Sequence, residues 1–141
     1  MNEYIKQKVD EIFTEIVNIR RNIHKNPELS EKEYETSKFI QSYLIKHNVE
    51  FKIVANTGVY AYIHNGKGKN IAFRADIDAL PIFEESGVEF SSVNSGVMHA
   101  CGHDFHMTIA LGSLERALEN QPKNNLLFLF QPAEENEAGG M

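Results

Sequence analysis

The sequence predicts an α/β fold, in which helices pack on a sheet that contains a buried parallel strand. Three segments carry apolar residues at helical spacing, and short runs of branched and aromatic residues lie between them. The uninterrupted apolar run Leu126–Phe130 is typical of a strand that is buried inside a parallel sheet. With 141 residues, the chain has the size of one domain, and we predict an α/β sandwich.

Three helices are predicted, each from apolar residues at helical spacing. The first ends at Asn26-Pro27, because a residue that precedes proline is disfavoured in the helical conformation. The second begins at Ser30, with Glu33 completing a capping box, and runs to about His47. The third has Asp104 as its N-cap. The apolar stripes of the first and third helices are Ile5, Val9, Ile12, Ile16, Ile19 and Ile23, and Met107, Leu111, Leu114 and Leu118.

Four strands are predicted from runs of branched and aromatic residues. They cover 51–54, 59–63, 71–75 and 126–130. The segment from His64 to Gly68 is typical of a turn and predicts a hairpin between the second and third strands. Residues 81–99 have no clear period, and irregular segments of that length are uncommon and often functional. If the third and fourth strands are parallel, the third helix joins them in a right-handed crossover.

Composition excludes several classes of function. The net charge is -6 and no stretch concentrates Lys and Arg, which argues against a nucleic-acid partner. The longest apolar run has five residues, too few to cross a bilayer, and the charged N-terminus lacks a signal core. The single cysteine cannot form an internal disulfide. We therefore expect a cytoplasmic protein without a membrane or nucleic-acid partner.

Polar clusters follow the predicted elements and meet at one edge of the predicted sheet. The crossover places the start of the third helix beside the ends of both parallel strands, where α/β sheets bind ligands. The residues collected there are Asp76, Asp78, Cys101, His103, Asp104, Glu134 and Glu135.

This combination of side chains predicts a metal centre. Several carboxylates and a thiol in one cleft would repel one another or become neutral, and a divalent cation removes that conflict. Cysteine, histidine and carboxylate are ligands that zinc prefers. Glu134 and Glu135 suit two roles, in which one binds metal and the other takes a proton from bound water.

Other interpretations of these residues remain open. A lone cysteine such as Cys101 is often a small buried apolar residue. Asp104 is first a helix cap, and the glutamate pair could belong to a solvated acidic loop. His99 and His106 flank the cluster and fit either a supporting role or exposure to solvent. His24, His47 and His64 are predicted at the surface.

Four segments resemble one family of amidohydrolases. The family includes hippurate hydrolase, bacterial N-acyl-amino-acid deacylases, plant auxin-conjugate hydrolases and N-acetyldiaminopimelate deacetylase. The segments, in the family's order, are Arg20-Arg21-Asn22-Ile23-His24-Lys25-Asn26-Pro27-Glu28-Leu29, Phe73-Arg74-Ala75-Asp76-Ile77-Asp78-Ala79-Leu80-Pro81-Ile82, Met98-His99-Ala100-Cys101-Gly102-His103-Asp104-Phe105-His106-Met107-Thr108 and Phe128-Leu129-Phe130-Gln131-Pro132-Ala133-Glu134-Glu135.

The resemblance implies a dinuclear metallo-aminopeptidase-like catalytic domain that cleaves N-acyl, especially N-acetyl, amino acids. It implies two divalent metal ions, zinc or manganese first, with cobalt or nickel also tolerated. The roles it implies are Cys101 as bridging ligand, His103 and Glu135 as further ligands, Glu134 as general base, Asp78 as an orienting residue and Asp76 in place of a metal-binding histidine.

The resemblance also implies that residues 1–141 are the N-terminal portion of such a domain. The family continues past the glutamate pair through a Gly-rich turn, which Asn136-Glu137 would begin here, to further ligand histidines and to a lid domain that dimerises. We therefore expect this chain alone to be inactive and the full-length enzyme to be a homodimer. N-acetyldiaminopimelate is one expected substrate, beside hippurate-type and other N-acetyl amino acids.

Two other classes of function compete with a metallohydrolase. The chain could be a non-catalytic remnant or interaction module, which would not retain metal at stoichiometric levels. It could also use Cys101 as a nucleophile with His103 or His106. Such an enzyme would be inactivated by iodoacetamide and not by chelators, and it would leave the carboxylates without a role.

Overall fold

A computed structural model describes residues 3–65 and 68–136 of the chain. These residues form three helices and four strands, which confirms the predicted α/β class. The elements are α1 (Glu3–Lys25), α2 (Tyr34–Lys46), β1 (Glu50–Val54), β2 (Gly58–Ile63), β3 (Asn70–Asp76), α3 (His103–Asn120) and β4 (Asn125–Gln131). The predicted Gly-rich turn from Glu137 onward lies outside the described residues.

The four strands form one mixed sheet in the order β1-β2-β4-β3. As predicted, β3 and β4 are parallel, and α3 lies between them in the chain. The predicted hairpin of β2 with β3 is wrong, because β4 lies between these strands and pairs with both. A strand as apolar as β4 is most stable with a partner on each side. The observed hairpin joins β1 to β2 through residues 55–57, where Ala55 and Asn56 have positive φ.

One apolar core joins the helices to the sheet. Helix α2 packs on β1 and β2, α3 packs on β3 and α1, and most of the buried apolar residues of these elements form a single cluster. Met107, Leu111 and Leu114 of the predicted α3 stripe are fully buried. The alternate residues of β4 that complete this core include Phe128 and Phe130, which are 1% and 0% exposed. This packing fixes where β3, α3 and β4 end.

Two predicted helix starts are wrong. Helix α2 begins at Tyr34 rather than Ser30, and Glu33 makes no capping hydrogen bond. The carboxylate of Glu28 accepts hydrogen bonds from the first-turn N–H groups of Glu35 (3.1 Å) and Thr36 (2.7 Å), and so takes over the capping role. Helix α3 has Gly102, not Asp104, as its N-cap residue.

No helix in the described part of the chain has both the length and the apolar character that a bilayer-spanning segment needs.

Candidate metal centre

The three predicted polar clusters meet at the edge of the sheet where β3 and β4 end. Strand β3 ends at Asp76, β4 ends at Gln131, and these two residues are paired in the parallel register. The N–H of Ile77 continues the pairing by donating to the carbonyl of Gln131 at 3.0 Å. Helix α3 begins at this same edge with His103, so the site lies between the first turn of α3 and the ends of β3 and β4.

His103 lies at the centre of the cluster and is 4% exposed. Its Nδ1 is 2.9 Å from the carbonyl oxygen of Asp78 and 3.2 Å from Asp78 Oδ1. Its Nε2 faces the glutamate pair, at 3.7 Å from Glu134 Oε2 and 3.8 Å from Glu135 Oε1. One ring nitrogen is thus held by the protein backbone, while the other faces two carboxylates. Supported histidine ligands of metal ions have this arrangement.

Asp78 is fully buried and connects three parts of the site. Its Oδ2 accepts hydrogen bonds from Ser30 Oγ at 2.7 Å and from the backbone N–H of Glu135 at 2.9 Å. Burial alone would raise the pKa of Asp78, but the hydrogen bonds from His103, Ser30 and Glu135 outweigh it and hold the pKa at about 2. Asp78 is therefore a carboxylate at neutral pH that fixes both His103 and the start of the glutamate segment.

Cys101 is exposed at the same edge, two residues before His103. Gly102 between them has φ +81°, a left-handed conformation that glycine adopts without steric cost. The neighbouring Glu135 carboxylate, burial and the charges of Glu134 and Asp78 raise the pKa of the Cys101 thiol to about 11. This thiol is therefore a poor nucleophile by itself, which argues against the cysteine-nucleophile interpretation. A cation bound beside it would reverse the balance and favour the thiolate.

Asp76 lies beside the cluster and contacts different neighbours. Its Oδ1 accepts a hydrogen bond from Arg74 Nε at 2.8 Å, and its Oδ2 is 3.5 Å from His106 Nδ1. His106 is half-exposed, and its ring centroid is 5.2 Å from that of His103. The open question about His106 is thus resolved in favour of a partly solvated position that touches the cluster.

Asp104 belongs to a different buried network. Its Oδ2 accepts a hydrogen bond from Arg20 Nε at 2.7 Å and lies 2.8 Å from His24 Nδ1. His24 Nε2 is in turn 3.0 Å from Glu84 Oε1, in the irregular segment. The predicted surface position of His24 is wrong, since it is 4% exposed. The network ties the end of α1 to the first turn of α3, because a buried carboxylate needs paired donors.

His99 is also buried, at 4% exposure, which excludes the alternative of a solvated side chain. Burial lowers the pKa of His99 to about 4, so the ring is neutral at physiological pH. Neither ring nitrogen has a hydrogen-bond partner among the described residues. His47 is partly buried and His64 is exposed, both away from the sheet edge.

The residues at this edge fit a divalent cation. Ligand atoms of His103, Glu134 and Glu135 all lie within 4.8 Å of one another, as do those of Asp76, His103 and His106. The buried Glu135 Oε1 accepts no hydrogen bond from the part of the chain that the structure describes. A cation bound between this oxygen and the nearby Nε2 of His103 would satisfy both atoms.

Comparison with known proteins relates the chain to one family of peptidases. Residues 72–141, which contain all six candidate catalytic and metal-binding residues, match Peptidase family M20/M25/M40. Over 132 residues the chain is 51% identical to N-acetyldiaminopimelate deacetylase of Streptococcus pneumoniae. The chain thus resembles peptidase family M20. It spans 35% of the length of that curated relative, and the match covers 90% of the chain.

Two solved structures have the same fold. The YxeP protein of Bacillus subtilis, described as a dinuclear metal-binding peptidase of the M20 family, superposes with a TM-score of 0.87 at 43% identity. A putative aminohydrolase from methicillin-resistant Staphylococcus aureus superposes with a TM-score of 0.91 at 40% identity. These matches cover 92% and 99% of the chain and 38% of each relative. They confirm the predicted α/β fold of a metallopeptidase-like catalytic domain.

Several residues that support this site are not indicated by the sequence. Arg20 and His24 are four residues apart and each follows an isoleucine of the α1 stripe, so they lie along the border of its buried face. That position is the one signal that could have indicated their burial. The spacing of Ser30 and Glu33 predicts a capping box, whereas both side chains hydrogen-bond to distant segments.

Proposed function

We propose that this chain supplies the metal-binding part of an amidohydrolase that cleaves N-acyl amino acids into a carboxylate and a free amine. The observation that carries the proposal is the placement of His103, with Nδ1 held by Asp78 and Nε2 facing Glu134 and Glu135. In this proposal Cys101, His103 and Glu135 hold two divalent metal ions, zinc or manganese. A thiol, an imidazole and a carboxylate together suit such ions.

Bound divalent cations would polarise the acyl carbonyl and lower the pKa of a water molecule. Glu134 is the proposed general base, since it lies 3.7 Å from His103 Nε2 and its side chain is 38% exposed, within reach of substrate. It takes a proton from the attacking water and delivers that proton to the nitrogen that leaves when the amide C–N bond breaks. The acyl carbon keeps the water oxygen, so the products are a carboxylic acid and an amine.

Asp78 and Asp76 have supporting roles in this proposal. Asp78 orients His103 and, through the N–H of Glu135, the second glutamate. Asp76 is held by Arg74 and faces His106, so it supplies negative charge at the side of the centre. Both roles keep His103 and the glutamates in one arrangement before substrate binds, which reduces reorganisation during the reaction.

N-acetyldiaminopimelate is the first substrate to test, because a relative that is 51% identical bears the name of that deacetylase. Other N-acetyl amino acids and hippurate-type compounds follow. We propose that the full-length enzyme acts on these small molecules in the cytoplasm as a homodimer, without a nucleic-acid or membrane partner. Since the chain spans 35% of the relative's length, we propose that the 141-residue chain alone binds metal but does not turn over substrate.

Binding of Co²⁺ to the purified chain tests this proposal. We expect stoichiometric binding with a near-ultraviolet absorption band from the Cys101 thiolate, because a coordinated thiol is deprotonated. Cys101→Ser should abolish the band, whereas a control variant, His64→Gln at an exposed histidine, should retain it. Failure of the unaltered chain to bind Co²⁺, or a thiolate band that survives Cys101→Ser, would contradict the proposed centre.

A further inference from the structure

The connector between α1 and α2 contains a buried carboxylate with no part in helix capping. Glu33 is 0% exposed. Its Oε2 accepts a hydrogen bond from Thr57 Oγ1 at 2.7 Å, and its Oε1 accepts one from the backbone N–H of Ala133 at 2.8 Å. No Lys, Arg or His side chain of residues 3–65 and 68–136 forms an ion pair with it. Burial of a carboxyl group that has only two neutral hydrogen-bond donors is costly, so its position calls for an explanation.

The backbone that Glu33 holds is strained and leads directly to the proposed catalytic glutamates. Ala133, the residue before Glu134, has φ +52°, a left-handed conformation that is sterically unfavourable for any residue except glycine. Such conformations persist only where surrounding contacts enforce them. The hydrogen bond from the Ala133 N–H to Glu33 is a contact of that kind. Without it, this buried N–H would lose its partner.

Packing restrains the same turn from the other side. A Cβ on Gly58, at the start of β2, would lie 2.8 Å from Pro132 Cδ, closer than real contacts allow. Pro132 can therefore pack directly on the strand only because residue 58 is glycine. The turn that carries Glu134 is thus confined between the Glu33 carboxylate and the β2 backbone.

The connector also holds the segment that follows β3, which contains Asp78. Ser30 Oγ donates to Asp78 Oδ2 at 2.7 Å, and the same oxygen accepts the N–H of Glu135. The backbone carbonyl of Glu28 accepts a hydrogen bond from the N–H of Ala79 at 2.8 Å. Residues 28–33 therefore contact both the segment after β3 and the segment after β4.

We propose that Glu33 is a positioning residue for the metal centre, acting through the Ala133 backbone on Glu134 and Glu135. A carboxylate suits this role because its two oxygens hold the β1–β2 turn and the glutamate turn at once. This inference rests on the proposed metal-binding function. It extends that function to a residue that does not touch substrate or metal.

Three variants test the proposal through Co²⁺ affinity, measured by calorimetry on the full chain. Glu33→Ala should weaken Co²⁺ binding by about 10–100-fold, as the loss of residues that orient metal ligands typically does. Glu33→Gln should restore the affinity, since the amide oxygen can accept from Ala133 while its NH₂ group donates to Thr57 Oγ1. Thr57→Val removes only the other hydrogen bond of Glu33 and should leave the affinity unchanged.

A second measurement separates this proposal from the proposed function. Hydrogen exchange of the Ala133 amide in the metal-free chain should accelerate in Glu33→Ala and stay slow in Thr57→Val. If the unaltered chain binds no Co²⁺, the proposed function fails, and the exchange data alone report whether Glu33 restrains the turn. Equal affinity in Glu33→Ala and the unaltered chain, or equal losses in Glu33→Ala and Thr57→Val, would overturn the positioning role.

Discussion

Replacing Glu134 with glutamine is expected to reduce amide hydrolysis by about 10²–10⁴-fold, the usual contribution of a general base. Glutamine has nearly the same shape as glutamate but cannot accept the proton of the attacking water. Because Glu135, Cys101 and His103 remain, Co²⁺ should still bind. The measurement is the rate at which the full-length enzyme releases acetate from N-acetyldiaminopimelate.

An exposed glutamate provides the matched control for this experiment. Glu85 lies in the irregular segment and makes the same charge change when it is replaced by glutamine. Glu85→Gln should retain full turnover and full metal content. Turnover near the unaltered rate in Glu134→Gln would exclude Glu134 as the base. Loss of metal together with activity would instead assign Glu134 to the ligands.

Replacing Asp104 with alanine is expected to lower the free energy of unfolding by about 3–5 kcal/mol, which is typical of removing one partner of a buried ion pair. The variant leaves Arg20 and His24 without the carboxylate that both contact. Domains of this size are commonly stable by about 5–15 kcal/mol, so the loss is a large fraction of the total. Urea unfolding followed by circular dichroism measures it.

A double-mutant cycle identifies the source of this loss. Arg20 also lies over the rings of Phe90 and Phe105, with its guanidinium carbon 5.0 and 4.3 Å from their centroids. Arg20→Met keeps an apolar stem there and removes only the charge. If the ion pair is responsible, Asp104→Ala should cost much less in the Arg20→Met background. Asp10→Ala, at an exposed position of α1, should leave the stability unchanged. Equal effects of the Asp10 and Asp104 replacements would contradict the buried network.

The sequence predicts which side chains meet at the edge of the sheet, because their positions depend on local signals. Strand β4 is recognisable from its apolar run, and α3 from its stripe. Once β3 and β4 are parallel neighbours joined by α3, the ends of the two strands and the start of the helix bring Asp78, His103 and Glu135 together. The observed edge contains the predicted residues, except that Asp104 faces the end of α1.

The features that the sequence does not predict depend on distant contacts. The His64–Gly68 turn signal is local, whereas the insertion of β4 between β2 and β3 depends on which strand best buries Phe128 and Phe130. In the same way, Ser30 and Glu33 match a capping box in sequence. Their donors and acceptors, however, are 48 and 100 residues away at Asp78 and Ala133. Tertiary hydrogen bonds of that range leave no periodic signature.

The most direct test of the metal centre is an anomalous X-ray difference map from crystals of this chain grown with Zn²⁺. We predict density about 2.0–2.1 Å from His103 Nε2 and within bonding distance of Glu135 and Cys101 Sγ. A separate group, Glu15, His47 and Glu115, also has ligand atoms within 4.8 Å of one another and serves as an internal comparison. Density at that group with none at His103 would contradict a catalytic metal centre at the sheet edge.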